Sequence, residues 1–463
     1  MPTRSSGEQE HTATAPPGGD QPAPGDPRPG GPGEDPNAAG AGRRKSVLFR
    51  NRDFGLLWSG ETVSLLGSEV SVIALPSLAV LAFGQGAVGV GLLVALQWLP
   101  FVVLAPILGV LTDRLRRLPL MQVANVARFV ILGSLPLAWV LGGLTIGHLY
   151  AAALLKGIFD VVFQLAYQAY LTQLLPREDF LDGNAKTQLS RSLSIVFGRS
   201  VGGALVGLLG AARAITVDAV SYLVSFVALT RIKAKEPEAA PSGRGLAATL
   251  ADLRSGLAIT FGNRLLRYLT LMAMFGNLAV SMVLAMIIVF AYRDLGFTPA
   301  ELGLALGVGG APVLLGAVLS RRVNESLGIG RTLILTHVLL GIAFLVFPLA
   351  DTGGKGFALV VVMVAEGLAT FTSPIANVGI MSLIQRATPP EAMGRMGGVA
   401  LPLVWGANAV GPLIGAAIAA LFVSNTTPFL VAALLSFLAV VWILTGGIYR
   451  LRDEVPEHMR VVL

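Results

Sequence analysis

The chain has 463 residues, 54% hydrophobic and 13% charged, with a mean hydropathy of +0.72 and a net charge of +7. These proportions exclude an ordinary soluble globular domain and point to an all-α integral membrane protein. The absence of cysteine excludes a disulfide framework, a thiol nucleophile or a thiolate metal site, and four histidines without helical pairing argue against a His-built centre, so no metal and no cofactor is expected.

Residues 1–42 hold nine of the 27 prolines, many glycines and almost no large apolar side chains. Such a stretch cannot bury enough surface to offset its ordering entropy, and a disordered cytoplasmic tail is expected there. The first apolar run begins after Arg52 and lasts a full membrane span, unlike the short core of a cleavable signal peptide. Twelve segments hold the ~20 mostly apolar residues that a helix needs to cross a bilayer. They are 54–83, 87–111, 119–142, 147–171, 192–210, 212–230, 266–291, 299–319, 331–350, 356–383, 397–423 and 427–448. With the N-terminus inside, 26 of the 34 Lys and Arg lie in cytoplasmic segments and only Arg213, Arg293 and Lys355 in outer loops. That asymmetry is the positive-inside signal, and it puts both termini in the cytoplasm of a multi-pass cell-membrane protein. It also accounts for the positive charge without a nucleic acid as partner.

The longest polar interruption, RIKAKEPEAAPSGRG at 231–245, is followed by an amphipathic stretch and divides the chain six and six. The expected organisation is a tail at 1–42, an N-terminal half at 43–230, a cytoplasmic linker with an amphipathic helix at 231–265, a C-terminal half at 266–448 and a cytoplasmic tail at 449–463. An internal repeat supports the division. Pro176, Glu178, Gly198 and Gly202 recur, 213 residues on, as Pro389, Glu391, Gly411 and Gly415, and Gly109, Asp113 and Arg114 have counterparts in Gly316, Ser320 and Arg321. Repeated halves are a transporter construction, with the site at their interface near the midplane. No nucleotide-binding loop accompanies it: TGGKG at 352–356 lacks the glycine spacing and the Ser/Thr.

The stretch GVLTDRLRR at 109–117 resembles the signature loop of the major facilitator superfamily, and the likeness extends from Leu48 to Leu451 through NRDFGLLWSGETVSLLG, LLPREDFLDGNA, VDAVSYLVS and IQRATPPEAMGR. It is most similar to the macrolide-efflux and siderophore-exporter branch of the drug:proton antiporters, which are bacterial. The resemblance implies a major facilitator fold of twelve helices in two six-helix halves, with helices 1, 4, 7 and 10 around a central cavity. It also implies a cytoplasmic gate built on Gly109 and Asp113, with Arg114 and Arg117 as basic partners. Gly198, Gly202 and Gly203 in the fifth span, and Gly411, Pro412 and Gly415 in the eleventh, have the spacing that lets helix backbones approach closely. The fifth span resembles the antiporter motif but carries Gly198-Arg199 where Gly-Pro is the pattern, and the Gly-Pro form stands in the eleventh span instead.

Among the charges inside the spans are Glu61, Glu69, Arg128, Lys156, Asp160, Arg199 and Glu366. A charge at mid-membrane costs about 2.5–3.5 kcal/mol on insertion scales, so these side chains are expected to face a bundle interior or water. At 100° per residue, Glu61 shares its face with Ser64, Ser68 and Ser71, while Glu69 lies about 80° away and about 12 Å deeper. Glu69, and after it Glu61 and Asp160, are candidates to take up and release a proton, with a static ion pair as the alternative. Lys156 and Asp160, one turn apart, can neutralise each other. Glu69, Asp160, Asn277 and Glu366 are candidates to line the cavity, beside a methionine-rich face of the seventh span.

The expected function is a proton-coupled secondary exporter of amphipathic small molecules such as an antibiotic, drug or siderophore, working by alternating access as a monomer in the lipid bilayer. A nutrient-uptake transporter and a non-transporting receptor or scaffold of the same fold are the alternatives. No enzymatic chemistry is expected.

Overall fold

The computed structural model describes residues 47–463 apart from 106–107, 109–114, 235, 237–245, 452–455, 457–458, 460 and 462–463. The tail expected over 1–42 and the gate residues Gly109, Asp113 and Arg114 lie outside the described residues. In chain order the apolar helices are α1 Arg52–Leu81, α2 Ala87–Val103, α3 Arg117–Val140, α4 Ile146–Leu174, α5 Phe180–Leu209 and α6 Ala211–Thr230. After a linker helix at Leu246–Gly262 come α7 Arg264–Arg293, α8 Pro299–Leu327, α9 Ile329–Val346, α10 Lys355–Ala387, α11 Pro390–Phe422 and α12 Thr427–Thr445. Eleven are long and apolar enough to cross a membrane, and α2 is a shorter apolar helix of 17 residues. Pro312 splits α8 into Pro299–Gly310 and Pro312–Leu327, because proline supplies no N–H to the helical ladder.

Local chemistry sets where the helices begin. Asn51 accepts from the N–H of Phe54 to cap α1, and Asn263 accepts from Leu266 to cap α7, each leading the first helix of its half. Thr298 and Glu301 form a reciprocal capping box at the start of α8. Each half is then tied underneath by the chain that leaves its sixth helix. In the N-terminal half the backbone N–H groups of Lys233 and Ala234 donate to Asp53, and the Glu236 carboxylate accepts from the N–H groups of Arg117 and Leu118 at the start of α3. In the C-terminal half the carbonyl of Leu451 accepts from Gly330 at the start of α9, and the carbonyl of Met459 accepts from the Asn263 side chain. Unpaired helix-start donors are satisfied in both cases, by a carboxylate in one half and by main chain in the other.

The sequence repeat reappears as packing. Gly198 and Gly202 lie against Glu69 and Val70 of α1, and their counterparts Gly411 and Gly415 lie against Leu278 and Met282 of α7. The halves meet along α5–α8 and α2–α11. At the first junction Gly203 sits against the backbone of Gly303; at the second Ala416, 213 residues on, sits against Gly91, with the carbonyl of Pro412 beside it. A Cβ at Gly203 would overlap the Gly303 backbone, which cannot yield as a side-chain tip can. Gly203→Ala is therefore expected to lower stability by roughly 1–3 kcal/mol through overpacking. A thermal unfolding midpoint equal to that of the unaltered chain would contradict this close approach.

The halves also join at the end of the molecule where α1 finishes and α7 finishes. The hydroxyls of Ser77 and Tyr292 are 2.6 Å apart, and Arg293 donates to the carbonyl of Gly84 at 2.6 Å. Of the methionines at 272, 274, 282 and 286 expected to offer a cavity face, Met272, Met282 and Met286 are core residues, the last two packed on Gly415, and Met274 is half-buried.

Candidate functional site

Among the described residues, two clusters of polar side chains and one cavity lie inside the bundle. The first joins the halves. Arg199 of α5 donates through Nε to Oε2 of Glu69 on α1 and through Nη1 to Oε1 of Glu366 on α10, both at 2.9 Å. Glycine makes the approach possible on each side: Gly198 leaves room for the Cβ of Glu69, and Gly309 of α8 leaves room for the Cβ of Glu366. The bridge holds two carboxylates and one guanidinium, so with both acids ionised one negative charge is left unbalanced in a mostly desolvated place. The guanidinium fork suits this role because it offers separate, fixed N–H directions to two acceptors.

The second group belongs to the N-terminal half alone. Asp160 accepts from Lys156 at 2.7 Å and from Arg128 at 3.1 Å. The Arg128 guanidinium also donates to Asn125, which donates to Ser225 at 3.0 Å, and it lies between the rings of Phe163 and Tyr222, about 4 Å from each centroid. Cation–π contact with the two rings compensates part of its lost hydration. Beside it, Asp218 of α6 is fully buried and accepts from Ser68, Ser71 and Ser221. The serine face that the helical wheel assigns to Glu61 is thus turned, at Ser68 and Ser71, toward α6 and Asp218. Glu61 is buried at 7% exposure, and its Oε2 has no hydrogen-bond partner among the described residues.

The third feature is a cavity of about 300 Å³. Its walls come from α7, α9 and α10, with Val313 of α8 and with Ile195 and Arg199 of α5. Leu340 and Phe344 make an apolar wall, and Asn277, Thr336, His337, Thr372 and Asn377 supply polar groups. Asn277 and Glu366 are among its lining residues. Glu69 and Asp160 are not among its lining residues, because Glu69 is turned to Arg199 and Asp160 to Lys156 and Arg128. Of the helices 1, 4, 7 and 10 named for a central cavity, α7 and α10 supply lining residues here, and the N-terminal half supplies Ile195 and Arg199 of α5.

Of the gate residues, Arg117 is described: its side chain lies 3.5 Å from Glu236, the same carboxylate that accepts from its backbone N–H. The partner of this arginine is therefore a linker glutamate. Sequence reasoning passed over Asp218, Glu236 and His337. Asp218 had a readable signal, the one acid in the apolar run of α6. The other two had none: Glu236 sits in a polar linker and His337 on an apolar helix face.

A family model described as Major Facilitator Superfamily matches residues 57–407. The chain belongs to the major facilitator superfamily. Among curated major facilitator proteins, it is 24% identical over 437 residues to the uncharacterized MFS-type transporter YfiS of Bacillus subtilis (strain 168), covering 90% of this chain and 97% of that one. It is also 24% identical to the uncharacterized MFS-type transporter YkuC of the same organism, over 82% of this chain and 88% of the relative. Among solved structures, the nucleoside transporter NupG superposes with a TM-score of 0.69 at 12% identity, over 85% of this chain and 99% of that one. At these distances the superposition shows the fold alone. Together with the helices, these likenesses make the chain a multi-pass membrane transporter of the major facilitator fold.

Proposed function

We propose that this major facilitator protein is a proton-coupled secondary exporter of small amphipathic molecules. The observation that carries the reading is the Glu69–Arg199–Glu366 bridge, which joins the two halves at the cavity wall. Alternating access needs an interaction that holds one arrangement of the halves and is weakened by what binds. A ligand beside Glu366 and Arg199 competes for the bridge, and a proton taken up elsewhere in the bundle alters the charge balance that the bridge holds.

The lining supports the ligand class. Alkyl and aromatic walls with a few convergent polar groups suit an amphipathic molecule, and a volume of about 300 Å³ lies at the small end of the range for ligand cavities. A macrolide-sized substrate would therefore have to be taken by a more open arrangement. Contacts between the halves at Ser77–Tyr292 and Arg293–Gly84 close the end opposite to Arg52. The exposed Ser373 and Asn377 carry the cavity wall toward the Arg52 end. With the basic loops cytoplasmic, that cavity faces inward, the state from which an exporter loads.

The test is flux in liposomes holding the purified chain, with a pH gradient of either sign and a fluorescent amphipathic amine as probe. Movement of probe against the proton flow, abolished by a protonophore, is the expected result. Gradient-independent retention of probe would overturn transport in favour of a receptor or scaffold, and movement along the proton flow would make the chain an importer.

A further inference from the structure

On the side of the cavity formed by His337 and its neighbours, several polar side chains already donate to backbone carbonyls, which leaves acceptor atoms free. Nδ1 of His337 lies 2.8 Å from the carbonyl of Leu333, one turn earlier in α9. A carbonyl only accepts, so the proton sits on Nδ1, and in the neutral imidazole Nε2 presents a lone pair. That nitrogen lies beside α7 at Gly276: a Cβ added there would stand 3.7 Å from Nε2, in ordinary contact with it, so a larger side chain at this position would crowd the nitrogen. His337 is 5% exposed and lines the cavity. Its neighbours repeat the pattern. The Thr336 hydroxyl donates to Leu333, the Thr372 hydroxyl donates to Ala369, and the Asn277 amide nitrogen donates to Ala273, which leaves oxygen lone pairs for whatever enters.

Resting on the reading of this cavity as the ligand site, we propose that His337 is a specificity-determining residue. Its Nε2 accepts a hydrogen bond from an N–H group of the ligand, so the cavity selects amphiphiles bearing a primary or secondary amine. Charge alone does not satisfy such a site. A quaternary ammonium carries the same charge as a protonated amine but has no N–H, so on entering it would displace water from the imidazole nitrogen and leave it without a partner.

The experiment compares 4-phenylbutylamine with its N,N,N-trimethyl analogue by ligand-induced shift of the thermal midpoint and by calorimetry on the purified full chain. It uses the unaltered protein, His337→Phe and His337→Gln. The amine should bind at least about tenfold more tightly than the trimethyl analogue, equal to about 1.4 kcal/mol. His337→Phe should bring the two ligands to within a factor of about two, and His337→Gln, whose amide oxygen reaches the place of Nε2, should keep the preference. Equal binding of both ligands by the unaltered chain, no binding of either, or a preference that survives His337→Phe would each overturn the proposal. Binding is read without flux, so these outcomes stand apart from the liposome test: a chain that moves other probes with the gradient but binds neither amine remains a transporter with a different ligand.

Discussion

Replacing Arg199 by alanine is expected to produce the largest loss of stability of any single change in the bundle, together with a loss of flux. The substitution leaves Glu69 and Glu366 facing each other without a cation, in a site where their side chains are only 21% and 11% exposed. Deleting one partner of a buried ion pair costs about 3–5 kcal/mol, because the remaining charge keeps its desolvation penalty and loses its compensation. Partial exposure argues for the lower end of that range here. Against a total stability of only about 5–15 kcal/mol for a typical domain, the effect should be plain in the thermal midpoint of the purified protein. Arg199→Lys should recover part of the stability but little flux, since an ammonium is a point charge and cannot hold two carboxylates in separate fixed directions. A triple change, Glu69→Gln with Arg199→Gln and Glu366→Gln, separates structure from mechanism. It removes every unpaired charge, so the midpoint should return toward that of the unaltered chain while gradient-driven flux stays lost. Unimpaired flux in the triple variant would show that the bridge is structural.

The contrast between what the sequence discloses and what it hides follows from the range of the interactions involved. Spans, halves and the repeat are legible because they depend on local apolar density and on fixed intervals. The 213-residue interval even anticipates packing, since Gly198 and Gly411 meet equivalent helices. Pairing of charges is not legible in the same way. Lys156 and Asp160 meet because one helical turn brings them together, and that contact is readable. Arg199 reaches acids 130 and 167 residues away, which only the docking of α1, α5 and α10 decides. For the same reason a helical wheel can put Glu61 and three serines on one face but cannot say that Ser68 and Ser71 will meet Asp218 of α6. His337 looks like an ordinary core residue until α7 is seen to offer a glycine opposite its ring.

Depth in the membrane favours Glu69 as the proton carrier, but the hydrogen bonds divide the two glutamates differently. Glu69 is half of an ion bridge, whereas Glu61 keeps an oxygen with no partner among the described residues, next to a cluster containing Arg128 and Asp160. An ionised carboxylate without a partner is expensive in a low-dielectric interior, and taking up a proton removes that expense. Glu61→Gln is therefore expected to preserve fold and ligand binding, because the amide copies a protonated carboxyl in shape and charge. Flux driven by an imposed pH gradient should fall to the passive leak, because the amide cannot give the proton back. Glu69→Gln should behave otherwise: Arg199 is left in a one-to-one pair with Glu366, the excess negative charge of the bridge is gone, and the balance between the two arrangements of the halves shifts while a proton site remains. Measuring gradient-driven flux and ligand-induced stabilisation for both variants distinguishes the assignments. Retention of full gradient dependence in Glu61→Gln, with its loss in Glu69→Gln, would move the coupling step from the interior of the N-terminal half to the bridge between the halves.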